Sequence, residues 1–227
     1  MERLRYRRPE IDHDGVVVSR FEVKPEAQMT MGQWLGYMMH KSYGRGCEPG
    51  WYSALVVDEM LWMSDTTAER KDHLAPVAAA DMFAQGRGEM RGLVNGLGLG
   101  CVVAAMLDSL DHVDVIEREG RVIETIGQWY IDTYGDRVTI HHGDAYRFTF
   151  PKGNRWDVVW HDIWPSFKPE NLTGMAKLRN RYRSRAVWQG CWGFEECKWM
   201  RQVERNDARQ IASLLGTKRT NARIRPR

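Results

Sequence analysis

The chain has 227 residues, 43% of them hydrophobic and 28% charged, with a formal net charge of +3. That is the balance of one globular domain, or of one domain with a small extension, able to bury a real core. No apolar stretch approaches the roughly 20 residues that a membrane span needs, and the opening "MERLRYRRPEID" lacks the apolar run of a secretory signal.

In chain order, "GVVVSRFEVKP" is β-rich and closed by Pro25. "EAQMTMGQWLGYMMHKS" has helical spacing of Met29, Trp34, Met38 and Met39. "YGRGCEPG" reads as a glycine-containing loop. "WYSALVVDEMLWMSDTT" predicts a hairpin turning at Asp58 and Glu59. "TAERKDHLAPVAAADMFAQGRG" predicts a helix with Pro76 as its point of interruption and Gly86 and Gly88 at its end. The four cysteines, Cys47, Cys101, Cys191 and Cys197, form no CxxC pair. Reduced thiols in a cytoplasmic protein, without a bound metal, are the expectation.

From Arg91 the rhythm becomes strand and helix in alternation. "RGLVNG", "HVDVIE", "RVTIHHGD" and "RWDVVWHDIW" read as strands, with "CVVAAMLDSL" and "REGRVIETIGQWYIDTYG" as helices between the first three. The pattern predicts an α/β, Rossmann-like, doubly wound and mostly parallel sheet. Residues 1–88 form an N-terminal extension containing the β-hairpin. Residues 89–227 are expected to form the Rossmann-like domain with a basic helical C-terminal segment, where "AVWQGCW" suggests one further strand.

In such a sheet, ligands bind beyond the carboxyl ends of the strands, where strand order reverses. Gly96, Gly98 and Gly100 allow a tight turn and close backbone approach at that place. The helix beginning near Cys101 presents unpaired N–H groups there. Glu117 ends the next strand, where a carboxylate can accept both hydroxyls of a ribose. Asp144 and Ala145 end the third strand, where an acid and a backbone N–H can read an adenine edge, and Asp162 lies just past the fourth. Four suitable groups at four successive strand tips weigh more than any one of them. A nicotinamide dinucleotide site would call for a small residue at position 101, where Cys101 stands.

"VNGLGLG", "VDVIE", "HHGDAYRF" and "WDVVWHDIW" resemble consecutive motifs of the class I S-adenosylmethionine-dependent methyltransferase superfamily, over about Arg91 to Phe167. "ALVVDEMLWMSDTT", with the "GDA" and "D-x-x-P" elements, resembles the spermidine-synthase branch and extends the likeness back to about Ser53. The resemblance implies S-adenosylmethionine as cofactor. Gly96, Gly98 and Gly100 would pass beneath its methionine part and ribose, Glu117 would hold the ribose hydroxyls, and Asp144 and Ala145 would face the adenine. Asp162 would sit at the reacting centre and orient an amine or take its proton. His161 beside it is either a general base or a hydrogen-bonded strand residue. Trp164 and Phe167 either stack on a planar substrate or cover the end of the sheet. In the polyamine-binding segment of that branch, "SDTTAERKDH", Asp65 can stand in for one acid and no tyrosine is present.

The expectation is therefore a methyltransferase acting on nucleic acid or a planar small molecule. Its rivals are a spermidine-synthase-like aminopropyltransferase and a non-catalytic binding or scaffold protein with Leu97 or Leu99 blocking the turn. The basic stretch from Lys177 to Arg185, "KLRNRYRSR", and the tail "TKRTNARIRPR" read either as a nucleic-acid footprint or as solvated surface. His141 and His142 alternate across a strand, which argues against a shared metal ion. Trp188, Trp192 and Trp199 are expected mostly in the core, with pocket lining or a homodimer contact as the alternatives.

Overall fold

The computed structural model describes residues 1–42, 45–86 and 88–214. Tyr43 and Gly44 of the expected loop, Arg87 between the two expected helix-ending glycines, and the basic tail at 217–227 lie outside the described residues.

The N-terminal unit is an antiparallel sheet of β1 (Ile11–His13), β2 (Val16–Val23), β3 (Gly50–Val57) and β4 (Met60–Ser64), in that order. Helix α1 (Met31–Ser42) lies in the long β2–β3 connection. β3 and β4 turn at Asp58 and Glu59, both with positive φ (48° and 64°), which matches the right-handed twist of the flanking strands. β1 has no counterpart among the expected elements. It pairs with β2 across Asp14 and Gly15, also at positive φ, and this Asp-Gly pair was the signal for it. Val16, Val18, Leu55 and Val57 are buried and join the main core.

Helices α2 (Thr67–Asp72) and α3 (Leu74–Phe83) follow. The break falls at His73 and not at Pro76. Pro76 is the third residue of α3, in a first turn whose N–H groups have no intrahelical partner, so its ring costs nothing there. α3 ends at Phe83, ahead of Gly86.

The second sheet alternates with helices: β5 (Arg91–Asn95), α4 (Cys101–Leu107), β6 (His112–Glu117), then α5 (Gly120–Val122) running through a π turn (Ile123–Gly127) into α6 (Gln128–Tyr134). It continues with β7 (Val138–His142), β8 (Trp156–His161), α7 (Asn171–Tyr182), β9 (Ala186–Cys191) and α8 (Phe194–Leu214). The order is β7-β6-β5-β8-β9, and every pair is parallel. β9 is the further strand that "AVWQGCW" suggested. Both faces are covered, as a parallel sheet requires. Val94, Val113, Val115 and Val158 pack in one cluster with the α4 side chains, and Leu93, Ile116 and Val159 pack in another with Leu178 and Tyr182 of α7. Strand order reverses between β5 and β8, which makes their carboxyl ends the switch point of a Rossmann-like fold.

Arg3 ties the N-terminal segment to this domain by reaching Asp108 at 2.9 Å, and to α3 by reaching Asp81 at 2.8 Å. No helix among the described residues is long and apolar enough to cross a membrane.

Candidate functional site

β5 and β8 are drawn together at their carboxyl ends by the Asp162 N–H, which donates to the Asn95 carbonyl at 2.8 Å. The glycine turn starts there. Gly96, Gly98 and Gly100 have φ of 95°, 51° and 70°, a region costing about 1–2 kcal/mol for a residue with a Cβ. The protein's own atoms use the space that the missing Cβ atoms leave. A methyl at Gly96 would meet the Asp162 carbonyl, one at Gly98 the Met63 sulfur, and one at Gly100 the Tyr130 ring. The Tyr130 hydroxyl donates to the Gly100 carbonyl, and Met63 Sδ accepts from the Leu99 N–H at 3.1 Å. Leu97 and Leu99 are buried in the main core, so neither leucine stands in the crevice.

Glu117, at the tip of β6, is 7% exposed and turned toward this loop. Its Oε2 accepts from the Leu97 N–H at 2.7 Å, and its Oε1 accepts from the Arg118 and Glu119 N–H groups at 2.7 and 2.8 Å. A carboxylate has about four acceptor positions, so Oε2 keeps one. Beyond β7, Asp144 Oδ1 accepts from the Tyr146 N–H at 2.8 Å and its side chain is 37% exposed. Ala145 is buried against the cluster that holds Leu93 and Ile116.

Asp162 is held from across the molecule: His73 Nε2 lies 2.7 Å from Asp162 Oδ2. His73 sits at the α2–α3 junction and is buried. Burial disfavours its imidazolium, but the hydrogen bond and charge of Asp162, aided by Asp72 and Glu69, raise its pKa above the usual 6.5. Sequence reasoning missed this residue, because a single histidine at a helix break carries no pattern.

The reading of His161 as a base at the crevice is corrected. The side chain is fully buried; its Nδ1 is 2.6 Å from Asn95 Nδ2 and its Nε2 is 3.3 Å from Gln189 Oε1. Burial lowers its pKa to about 4, so it is a neutral, hydrogen-bonded strand residue at neutral pH. Phe167 is also withdrawn from a stacking role, since its ring is stacked on Trp192 at 4.3 Å with the Arg45 guanidinium 4.9 Å away. Trp164 is half-buried between two smaller clusters.

His141 Nε2 bonds Asp114 Oδ1 at 2.9 Å, whereas His142 Nε2 bonds the Arg118 carbonyl at 3.1 Å. Asp65 accepts from the Ser53 and Tyr6 N–H groups at 2.6 and 3.0 Å, which ties it to backbone. In the basic stretch, Arg181 donates to the Phe148 carbonyl. With Lys177, Arg147 and Tyr146 it lines an open groove of about 540 Å³ next to the Asp144 loop.

No family model matches the chain, and no curated protein matches it. Among solved structures it is similar to a dimethyladenosine transferase from Plasmodium falciparum, at 20% identity over 48% of this chain and 36% of that one, with a TM-score of 0.36. It is similar to a human methyltransferase 10 domain containing protein at 11% identity, over 52% and 62% of the two chains, with a TM-score of 0.41. A third, the 23S rRNA methyltransferase ErmE, is 13% identical over 46% and 39%, with a TM-score of 0.36. The chain thus spans less than two thirds of the length of each. Likeness of this degree says nothing of substrate.

Proposed function

We propose that the protein is an S-adenosylmethionine-dependent methyltransferase whose acceptor is a nucleic acid or another planar, anionic molecule. The observation that carries this is the Glu117 carboxylate, buried at a strand tip and aimed at the Leu97 N–H of a glycine turn at the switch point. The residues suit the cofactor at its ribose end, where Glu117 Oε2 keeps one acceptor position, enough for one of the two ribose hydroxyls. They suit it at the adenine end, where Asp144 is partly exposed beside Ala145. At the methionine end the flexible Met63 thioether shares the space over Gly98.

When bound, the sulfonium supplies an activated methyl group and its own leaving group. The chain supplies position. His73 fixes Asp162 through Oδ2, which leaves Oδ1 to accept a hydrogen bond from an incoming amine and to hold its proton. Most of the rate then comes from holding nucleophile and carbon in line. Lys177, Arg147 and Arg181 add positive charge for the acceptor in the adjoining groove. Aminopropyl transfer is poorly served, because Asp65 faces backbone amides and lies among arginines. The four thiols are unpaired, which suits a reducing compartment such as the cytoplasm.

Calorimetry with S-adenosylmethionine, its decarboxylated form and S-adenosylhomocysteine, on the wild type and Glu117→Ala, tests the reading. The first and third ligands are expected to bind, and the variant to lose at least roughly tenfold, the worth of a hydrogen bond to a charged group. Preference for the decarboxylated form would point to aminopropyl transfer. A folded wild type that binds none of the three would sink the proposal. One observation, the seat of Met63 on Gly98, favours a second reading, a binding protein that keeps the fold without catalysis. Cofactor binding without methyl transfer would select it.

A further inference from the structure

Away from the strand tips, Arg5, Arg7, Arg8 and Arg20 line one hollow of about 290 Å³ in the N-terminal unit. The one carboxylate in its wall, Asp65, spends its oxygens on the Ser53 and Tyr6 N–H groups. Among the described residues the one carboxylate that Arg5 and Arg7 pair with is the exposed Glu2, at 3.5 and 3.9 Å. Arg20 lies over the Trp51 ring at 5.4 Å. Arg8 is packed against Trp129 and Tyr130, 3.9 and 3.4 Å from their ring centroids, with Nη1 on the Leu99 carbonyl at 3.2 Å. Among the described residues the guanidinium of neither Arg8 nor Arg20 pairs with a carboxylate, although the Arg20 backbone N–H donates to Glu10 Oε1 at 3.0 Å. Burial lowers the Arg8 guanidinium to about 10, the mark of a cation withdrawn from water without an anion beside it.

Four guanidinium groups around one hollow repel each other unless an anion sits among them. Guanidinium forks match the oxygens of a phosphate in pairs. Trp51 is 54% exposed and offers a ring face next to Arg20, which suits a stacked base. We propose that this hollow binds the phosphate of a nucleotide, free or within a nucleic-acid strand, at a site separate from the sheet tips. The site shares a wall with the glycine turn through Arg8 and the Leu99 carbonyl. It stands apart from the methyl-transfer reading, and its test needs no cofactor.

The full chain is titrated calorimetrically with pyrophosphate, adenosine monophosphate and a short single-stranded oligonucleotide, at low and moderate salt. Pyrophosphate and the mononucleotide are expected to bind, and to bind roughly tenfold more weakly to Arg7→Gln and to Arg20→Gln. Trp51→Ala should weaken the mononucleotide and spare pyrophosphate. All three side chains are exposed, and melting curves confirm that the variants fold. A strand as the natural source shows as tighter oligonucleotide binding, with a salt slope that falls by about one for each arginine removed. A free nucleotide shows as mononucleotide binding at least as tight as that of the oligonucleotide. Absence of binding by all three probes overturns the proposal, as does binding unchanged in both arginine variants.

Discussion

Asp114 and Arg8 are both charged and both drawn out of water, one in each half of the molecule, and their surroundings differ. Asp114, within β6, is met by Trp156 Nε1 at 2.8 Å, His141 at 2.9 Å, Arg91 at 3.2 Å and His112 at 3.7 Å. Burial opposes its ionisation, yet the donors from His112, His141 and Trp156 outweigh burial and hold its carboxyl well below the usual range. Arg8 has ring faces and one carbonyl. Within the parallel sheet Asp114 is thus answered by several partners at once. The N-terminal unit shares the main core through Val16, Val18, Leu55 and Val57, and its sulfur and polar contacts with the strand tips run through single side chains such as Met63 and His73. Contacts inside the domain should be stiff and costly to break, and these single contacts across the halves exchangeable.

The largest effect is expected at Asp114. Asp114→Ala strands the His141 imidazole, an indole N–H and a guanidinium, and should cost about 3–5 kcal/mol in urea denaturation. A cost below about 1 kcal/mol would break the contrast between the halves.

The glycine turn sharpens it, because it has one contact of each kind. Gly100→Ala forces a Cβ into Tyr130 of the same domain at φ 70°. Left-handed strain of about 1–2 kcal/mol and overpacking of about 1–3 kcal/mol should add to roughly 3 kcal/mol. At Gly98→Ala the nearest atoms are those of Met63, in the other half. A thioether can swing away at the loss of its contact with the Leu99 N–H, so the cost should stay below that at Gly100, about 2 kcal/mol. Met63→Ala should relieve part of the Gly98→Ala cost and none of the Gly100→Ala cost, read as a coupling energy in a double-mutant cycle. Equal costs at the two glycines would show Met63 to be as fixed as Tyr130.

The same division explains what could be read from the residues alone. A strand covered on both faces must be an unbroken apolar run, so "GLVN", "VDVIE" and "DVVWH" announce β5, β6 and β8. With the strands placed, their tips follow, and Glu117, Asp144 and Asp162 with them. β1 escaped because three mostly exposed residues bury too little to leave a pattern. Pro76 misled because it is the strongest helix breaker in its segment, yet it stands in a first turn where breaking costs nothing. His161 and Asp162 are adjacent in sequence, but which of them faces the crevice depends on how β8 is seated in the sheet. His73 reaches Asp162 across 89 residues, a distance over which no local pattern operates.

These two histidines set the last and smallest test, since they approach the tip of β8 from opposite halves with shifts of opposite sign. The pKa of His161 is lowered to about 4 from 6.5 by burial. Its contribution to stability is therefore full above pH 6.5 and is lost as the pH falls through about 4. The pKa of His73 is raised, burial being outweighed by Asp162. Its contribution is full below pH 6.5 and is lost as the pH rises through the raised value. Urea midpoints measured across pH should thus show an acid limb belonging to the parallel domain and an alkaline limb belonging to the contact between the halves. His73→Gln should flatten the alkaline limb and leave the acid one in place. If His73→Gln leaves the alkaline limb unchanged, the His73–Asp162 pair is not charged in the folded protein, and Asp162 reaches its place without help from the N-terminal unit.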